Sequence, residues 1–241
     1  MKFFIVHAHP EPKSFNGALT NYAEEVLKGA GHEVIISDLY AMQFNPVSDR
    51  CNFTSQKNPD FYKQQAEELY ATQVDGFAPD IKAEMEKLDW CDVLIFQFPL
   101  WWFGLPAILK GWVDRVFAMG QIYGSGRWYD NGVFKGKRAM LSLTTGGPLS
   151  MYTEVGINGD IQTILYPINH GILRFVGFDV LPPFVVWGVS QISDEKRQKY
   201  LVQYTQRLLT IHAMPPIVYP SVADFDESFQ LNPSELSRSF E

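Results

Sequence analysis

The chain has 241 residues, of which 46% are hydrophobic, and this length and apolar content allow one sizeable core. Its formal charge is -7 at pH 7, so bulk electrostatics do not favour a nucleic-acid partner. The only cysteines are Cys51 and Cys91, which excludes a disulfide framework, and no metal-binding pattern is present. The first residues do not resemble a signal peptide and no apolar stretch is long enough to cross a bilayer, so we expect a cytoplasmic protein without membrane insertion.

The N-terminal part of the chain predicts a β-α-β unit. Phe3 to His7 is a short apolar run, residues 17–29 have helical periodicity, and residues 33–37 alternate as a second strand. The loop before the helix contains Ser14 and Asn16, both good N-cap residues, and a helix N-terminus can bind phosphate. An ordinary capped helix is the alternative. Asp38 follows the second strand, and without a glycine fingerprint it is expected to be a turn residue.

The middle of the chain contains an aromatic loop between a strand and a helix. Residues 39–80 form a long connection with a helical piece near 63–72, and such connections are usually functional or interfacial. A helix over 81–88 leads to a buried strand over 93–98. Cys91 lies just before this strand and is expected to be an inert core residue. Pro99 stops the strand, and Trp101, Trp102 and Phe103 precede a helix over 107–117.

A second strand-to-loop junction follows in the C-terminal half. A strand over 137–143 continues into Thr144-Thr145-Gly146-Gly147, whose glycines let the backbone approach a ligand closely; a plain turn is the alternative. A helix over 161–175, a strand over 178–187 and a helix over 194–212 with Ser193 as its cap complete the pattern. His170 is expected to be a structural residue. The proline-rich segment 213–241 is predicted to be a tail that packs on the domain or on a partner subunit.

Five strands that alternate with helices predict an α/β fold, a doubly wound parallel sheet of flavodoxin-like order 2-1-3-4-5 with helices on both faces, over residues 1–212. In such sheets, ligands bind beyond the carboxyl ends of the strands. Three loops would meet there, namely Ser14 to Asn16, Leu100 to Phe103 and Thr144 to Gly147. One loop can hold phosphate, the second offers an aromatic wall and the third offers backbone N–H groups. These properties match the apolar and polar parts of a flavin.

The chain resembles the NAD(P)H:quinone oxidoreductase family of the DT-diaphorase type over residues 1–230. The matching stretches are Ser14-Phe15-Asn16, Ser37 to Met42, Phe44-Asn45-Pro46, Ile95 to Leu100, Trp102-Phe103-Gly104, Pro106 to Trp112, Thr144 to Gly147 and Ser150-Met151-Tyr152. The resemblance implies a flavodoxin-like fold, FAD rather than FMN as the cofactor, and a homodimer with its sites at the subunit interface. It also implies two-electron reduction of quinones by NAD(P)H.

The resemblance implies roles for individual residues as well. The FAD phosphates would contact His9, Phe15 and Asn16. The isoalloxazine ring would lie between Leu100, Trp102 and Phe103 on one edge and Thr144, Thr145, Gly146 and Gly147 on the other. Arg197 would lie near the adenine, and Tyr123 and Phe175 would line the substrate pocket. Tyr152 would donate a hydrogen bond near flavin N1 and O2.

Two positions depart from the family pattern. Asn158 replaces a histidine that the family pairs with the tyrosine, and an amide can donate a hydrogen bond but cannot take up a proton. Ser125 stands where the family often has another pocket tyrosine. Alternative functions are a flavin-binding regulatory subunit of a potassium-efflux transporter and a reductase of azo or nitroaromatic compounds. A plain flavodoxin-type electron carrier fits least well, because it would not need the long connection and the tail.

Overall fold

The computed structural model describes residues 1–232, and strands and helices alternate along them as the sequence predicts. The strands are β1 (Lys2–His7), β2 (Glu33–Asp38), β3 (Val93–Pro99), β4 (Arg138–Thr144) and β5 (Asp179–Val186). The α-helices are α1 (Phe15–Gly29), α2 (Gln64–Val74), α3 (Pro79–Trp90), α4 (Ala107–Val116), α5 (Ile161–Ile168) and α6 (Asp194–Leu209). Within this part of the chain there is no helix whose length and apolarity would let it cross a bilayer.

The five strands form one parallel sheet in the order β2-β1-β3-β4-β5, which confirms the predicted flavodoxin-like topology. The register pairs His7 with Gln97 and Pro99 with Thr144. The ends of β1, β3 and β4 therefore lie side by side at one edge. The loops that follow these strands must leave the sheet next to each other, as the site requires.

Helices cover both faces of the sheet, and the strand residues alternate between the two cores. Phe3 and Ile5 face α1 and α6, whereas Phe4 and Val6 face α3, α4 and α5. All four side chains are fully buried. This double burial explains why the strands read as continuous apolar runs rather than as alternating ones. Cys91 is also buried, and burial raises the pKa of its thiol to about 12, in agreement with the predicted inert residue.

The helix predicted over residues 161–175 is wrong in one respect, because α5 ends at Ile168 and Asn169–Arg174 form a π-helical segment. Pro167 lies inside α5 and has no N–H to donate to the preceding turn, and its ring crowds the carbonyl there. The wider π-turn that follows accommodates this defect. The last helix is also shorter than predicted, since α6 ends at Leu209 and a 3₁₀ turn takes up residues 211–213.

The long connection after β2 is anchored to α4. Arg115 is buried and donates hydrogen bonds to the Asn52 side chain (2.8 Å) and the Asn45 carbonyl (2.9 Å). Its guanidinium also pairs with Asp80 at 2.9 Å. Gly111 allows the close approach, because a Cβ there would lie 2.2 Å from the Pro46 carbonyl oxygen. These contacts fix the first part of the connection and the start of α3 relative to α4.

The segment that follows α6 contacts the starts of β4 and β5. The Ile217 N–H donates to the Val180 carbonyl at 2.8 Å, and the Arg138 guanidinium donates to the carbonyls of Ile211 and Met214. Val222 N–H donates to Asp130 at 2.6 Å. The division into a domain over 1–212 and a tail over 213–241 stays a prediction, and residues 233–241 of that tail lie outside the described residues.

Candidate active site

The N-terminus of α1 faces the edge where the strands end. Ser14 is its N-cap, as predicted, and its hydroxyl accepts a hydrogen bond from Gly17 N–H at 3.1 Å. The Ala18 N–H donates to the Ser14 carbonyl, so the amides of Phe15 and Asn16 remain at the open end of the helix. Free amides at the positive end of a helix dipole are suited to an anion such as phosphate. Asp38, by contrast, is a turn residue that accepts from the amides of Tyr40 and Ala41.

A buried chain of amides and a hydroxyl connects the three loops. The Gln97 side chain donates to Asn16 Oδ1 at 2.8 Å, and Asn16 Nδ2 donates to Thr144 Oγ1 at 2.9 Å. All three side chains are buried. The side chains of Asn16 and Thr144, which the sequence analysis assigned to the cofactor, therefore point into the protein. They position the loops, and only the backbone of these two residues remains for ligand contact.

The aromatic loop after β3 is a tight turn that leaves its aromatic rings exposed to solvent. Trp101 carbonyl accepts from Gly104 N–H at 3.0 Å, and between them Trp102 (φ 50°) and Phe103 (φ 58°) adopt the left-handed conformation. Turns of this kind usually contain Asn and Gly, and each bulky residue in this region costs about 1–2 kcal/mol. Trp102 is 97% exposed and Phe103 51% exposed. Strained exposed residues of this kind are typical of ligand-binding sites.

The Thr-Thr-Gly-Gly loop after β4 is anchored by its threonines and opened by its glycines. Leu100 N–H donates to the Thr144 carbonyl at 2.9 Å, which joins this loop to the aromatic one. Thr145 is buried, and its hydroxyl donates to the Gly147 carbonyl at 2.8 Å. A Cβ added at Gly146 would meet no atom within 4 Å, so open space adjoins this backbone. A flat ligand can therefore approach the loop at Gly146.

Tyr152 follows this loop and borders the same edge. Its ring is 7% exposed, lies 5.5 Å from the Trp187 ring and packs 3.3 Å from the position of a Cβ added at Gly147. Asn158 N–H donates to the Met151 carbonyl at 2.9 Å, which brings the 156–160 turn next to Tyr152. In the described residues there is no hydrogen bond between the side chains of Tyr152 and Asn158. Both candidate donors thus remain free for a ligand.

Two further side chains, those of Arg197 and His9, lie near the first turn of α1 and near the aromatic loop. The Arg197 guanidinium lies 5.7 Å from the centre of the Phe15 ring and donates to the Val189 carbonyl at 3.1 Å. On the other side, the His9 ring lies 6.0 Å from the Trp101 ring. His9 Nδ1 accepts from Glu11 N–H at 3.0 Å, which orients the ring. The Arg197 guanidinium, which also pairs with Asp194 at 3.5 Å, therefore adjoins the N-terminal end of α1.

Tyr123 and Phe175 line a separate cleft, and no residue of the three loops described above belongs to its lining. Their rings lie 5.8 Å apart, and Gln65 donates to the Tyr123 hydroxyl at 3.4 Å. The cleft lies between α2, α4, the loop after α4 and the π-helical segment. Its lining residues are Gln64, Glu68, Val113, Asp114, Phe117, Tyr123, Gly171, Ile172, Phe175 and Val176. The residues assigned to the substrate thus come together, but apart from the residues assigned to the isoalloxazine.

The loops fit a flavin nucleotide on the properties of these residues alone. Free amides at α1 suit phosphates, and the planar Arg197 guanidinium suits stacking on an adenine ring. Exposed Trp102 and Phe103 suit a flat ring system, and the open backbone at Gly146 and the Tyr152 hydroxyl suit its polar edge. Sequence reasoning missed Gln97, although a glutamine within the apolar run of β3 is itself a signal of a buried polar contact. It also missed Glu68, whose burial no local pattern indicates.

Comparison with known proteins agrees with this geometry. The flavodoxin-like fold family matches residues 1–208. The rat protein NAD(P)H dehydrogenase (quinone) 1 is 44% identical over 227 residues, which cover 94% of this chain and 83% of the rat protein. The mouse protein ribosyldihydronicotinamide dehydrogenase (quinone) is 45% identical over 217 residues, which cover 90% of this chain and 94% of the mouse protein.

A solved structure is similar over almost its whole length. It is that of a Klebsiella pneumoniae protein to which a quinone reductase activity is provisionally ascribed. It superimposes with a TM-score of 0.93 at 41% identity, and the match covers 97% of this chain and 95% of that one. The chain therefore belongs to the NAD(P)H:quinone oxidoreductase family, a family of oxidoreductases with the flavodoxin-like fold.

Proposed function

We propose that the chain is an FAD-dependent enzyme that transfers two electrons from NAD(P)H to quinones by ping-pong hydride transfer. The observation that carries this proposal is the meeting of three loops at one sheet edge, tied together by the Gln97–Asn16–Thr144 hydrogen bonds. NAD(P)H would reduce the site and leave before the quinone enters. The relatives described above support a quinone as the acceptor.

FAD rather than FMN is proposed because the site extends past the first turn of α1. An FMN phosphate would be satisfied by the amides of Phe15 and Asn16. Arg197 beside Phe15, and His9 beside Trp101, offer further contacts that only a dinucleotide could use. Arg197 would contact the adenine end, and His9 would contact the phosphates.

The bound flavin would supply the hydride chemistry, and the protein would supply orientation and charge stabilisation. Leu100, Trp102 and Phe103 would hold one edge of the ring, with Thr144, Thr145, Gly146 and Gly147 on the other. Tyr152 would donate its hydroxyl proton as a hydrogen bond where negative charge develops, with Asn158 as a second donor. Neither group needs to change its protonation state for this role.

A homodimer is proposed because, within one protomer, the residues assigned to the substrate lie apart from the residues assigned to the isoalloxazine ring. Tyr123 and Phe175 line a cleft whose lining includes no residue of the three loops assigned to the flavin, which we call the flavin loops. A second copy would bring its own cleft to the exposed face of Trp102 and Phe103 and complete the pocket. Sedimentation at several protein concentrations tests this point, and a monomer that turns over quinone would contradict it.

The cofactor and the substrates can be tested with purified protein. We expect a flavin absorbance spectrum, and the mass of the heat-released cofactor distinguishes FAD from FMN. Steady-state assays with menadione should compare NADH, NADPH and N-ribosyldihydronicotinamide, because the relatives differ in the donor that their names imply. Protein that binds no flavin, or that reduces no quinone with any donor, would contradict the proposal.

Replacing Tyr152 by phenylalanine should slow flavin reduction by NAD(P)H about tenfold or more, because one hydrogen bond to the developing charge is lost. Stopped-flow absorbance of the flavin measures this rate. Tyr204→Phe is the matched control, since Tyr204 is buried against α1 and β5 on the far core. An unchanged reduction rate in Tyr152→Phe would show that Tyr152 has another role.

The other functions considered from the sequence have distinct outcomes. A regulatory subunit should co-purify with a membrane transporter from cells, and an azo or nitroaromatic reductase should turn over those acceptors faster than menadione. A cytoplasmic location remains part of the proposal, and cell fractionation tests it.

A further inference from the structure

Glu68 is a buried carboxyl in the wall of the cleft that contains Tyr123 and Phe175. It belongs to α2 and is 3% exposed. Its Oε2 accepts from the Met119 backbone N–H at 2.7 Å, and its Oε1 accepts from the Gln64 side chain at 2.9 Å. Within residues 1–232 it has no ion-pair partner. A carboxyl in this position needs an explanation, because burying an unpaired charge is costly.

The surroundings of Glu68 favour its protonated form. Burial raises the pKa of its carboxyl, and the two N–H donors only partly oppose this effect. Asp114 on α4 adds another carboxyl to the lining of the same cleft, and Tyr123 is the titratable residue that the loop after α4 contributes to this lining. The π-helical segment contributes Gly171 and Ile172 to the cleft, and Phe175 and Val176 follow it; none of these four residues carries a charge. Arg50 is engaged with the neighbouring Glu67 instead, at 3.9 Å.

Quinone reduction needs a proton as well as a hydride. A quinone that accepts a hydride becomes a hydroquinone anion, and its oxygen must take up a proton before release. Asn158 cannot give one, because an amide does not ionise in this range. The backbone amides near the proposed ring edge do not ionise either, and the Tyr152 hydroxyl is assigned to the hydrogen bond with the flavin.

We propose that Glu68 is the general acid that protonates the reduced quinone, an inference that rests on the proposed quinone reductase function. A bound flavin would supply the hydride to the quinone, and the oxyanion that results would take the proton from the Glu68 carboxyl. This forms an O–H bond on the product and leaves Glu68 as a carboxylate. Met119 N–H and Gln64 stabilise that carboxylate, and water reprotonates it after the product leaves.

The adjacent residue Glu67 provides a matched control. It is equally buried and on the same helix, but its carboxyl accepts from the amides of Lys57 (2.6 Å) and Asn58 (3.0 Å). These bonds lower its pKa, so it is held as a carboxylate. It does not line the cleft with Tyr123. Glu67→Gln therefore repeats the chemical change of Glu68→Gln at a site without access to substrate.

The decisive experiment separates the two half-reactions of the flavin-loaded protein. In Glu68→Gln, NAD(P)H should reduce the flavin at the wild-type rate, whereas reoxidation by menadione should slow about a hundredfold, as expected for loss of a general acid. Reoxidation by ferricyanide, which takes electrons without a proton, should be unchanged. In wild type the menadione rate should fall as pH rises through the Glu68 titration, and in Glu68→Gln it should not.

The inference is overturned if menadione and ferricyanide reoxidation slow equally, or if Glu67→Gln shows the same selective loss as Glu68→Gln. Absence of flavin or of any quinone turnover in wild type would instead contradict the proposed function itself. A readout without turnover is a ¹³C NMR titration of glutamate carboxyls in cofactor-free protein. A carboxyl signal that titrates above the ordinary range should disappear in Glu68→Gln, and its persistence would contradict the inference.

Discussion

At the scale of single residues, Asn158 sets the expected pH behaviour of the reductive half-reaction. Its turn is held next to Tyr152 by the hydrogen bond from Asn158 N–H to Met151. Because an amide cannot titrate, the rate of flavin reduction should show no break near pH ~6.5. Asn158→His should introduce one, with the rate rising as pH falls and the imidazole becomes charged. Stopped-flow reduction between pH 5.5 and 8 checks this, and Asn158→Gln is the non-titrating control. A break in wild type that survives in Asn158→Ala would indicate another base.

Individual side-chain orientations could not be predicted from the sequence. Asn16, Thr144 and Thr145 stand at the predicted loops, but their side chains are buried in hydrogen bonds within the protein. The orientation of Asn16 depends on Gln97, which is 81 residues away. Local patterns identify polar residues at strand ends, whereas the partner of each one depends on which strands become neighbours.

At the scale of elements, helix starts were predictable because caps are local. Ser14 and Ser193 are both N-caps in the structure, as the sequence indicates. The helix over 161–175 was predicted as continuous although α5 ends at Ile168, since its apolar periodicity continues across the π-helical segment. Hydrophobic spacing reports which face is buried, but it does not report the width of the turn.

The two caps provide a further test. Ser14→Ala and Ser193→Ala should each lower the free energy of unfolding, by about 1 kcal/mol for Ser14 and less for Ser193, whose bond to Lys196 N–H is longer at 3.4 Å. Ser14→Ala should weaken flavin binding more than Ser193→Ala, because α1 faces the proposed phosphates, whereas α6 carries only Arg197 toward the adenine end. Urea unfolding of cofactor-free protein and fluorescence titration with FAD measure the two effects. Equal FAD affinities in both variants would argue against a phosphate at α1.

At the scale of the whole molecule, sheet order and covering of both faces followed from alternation of strands and helices. The separation between the flavin loops and the cleft lined by Tyr123 and Phe175 did not follow from this alternation, because it depends on how the 39–80 connection packs on α4. That docking relies on Arg115, whose partners lie up to 70 residues away in the chain. An arginine on a helix gives no sign that it will be buried.

Stability should depend on pH through His7, which is buried, and His170, which is half-buried. Burial lowers the pKa of His7 and of His170, and Arg174 lowers that of His170 further. The unfolded chain then binds more protons than the folded one, so stability is complete above pH ~6.5 and is lost as pH falls through the lowered pKa values. The melting temperature should therefore drop between pH 7.5 and 5.5.

His170→Phe isolates part of this effect. A phenyl ring can keep the stacking on Tyr166, whose ring lies 4.7 Å away, and the edge contact with Tyr219 at 5.0 Å. The stability difference between wild type and this variant should shift in favour of the variant as pH falls. Comparison at each pH removes the opposite contribution of Glu68, whose raised pKa adds stability at low pH. A difference that does not change with pH would contradict the assignment to His170.

The left-handed turn at Trp102 and Phe103 also bears on how such a chain can change over generations. Glycine at Phe103 would relieve the backbone strain of its left-handed conformation and add stability. It would also remove a ring from the wall of the proposed flavin site. Selection for a more stable fold and selection for ligand binding therefore act in opposite directions at this one position. The presence of a bulky aromatic there records which of the two has prevailed.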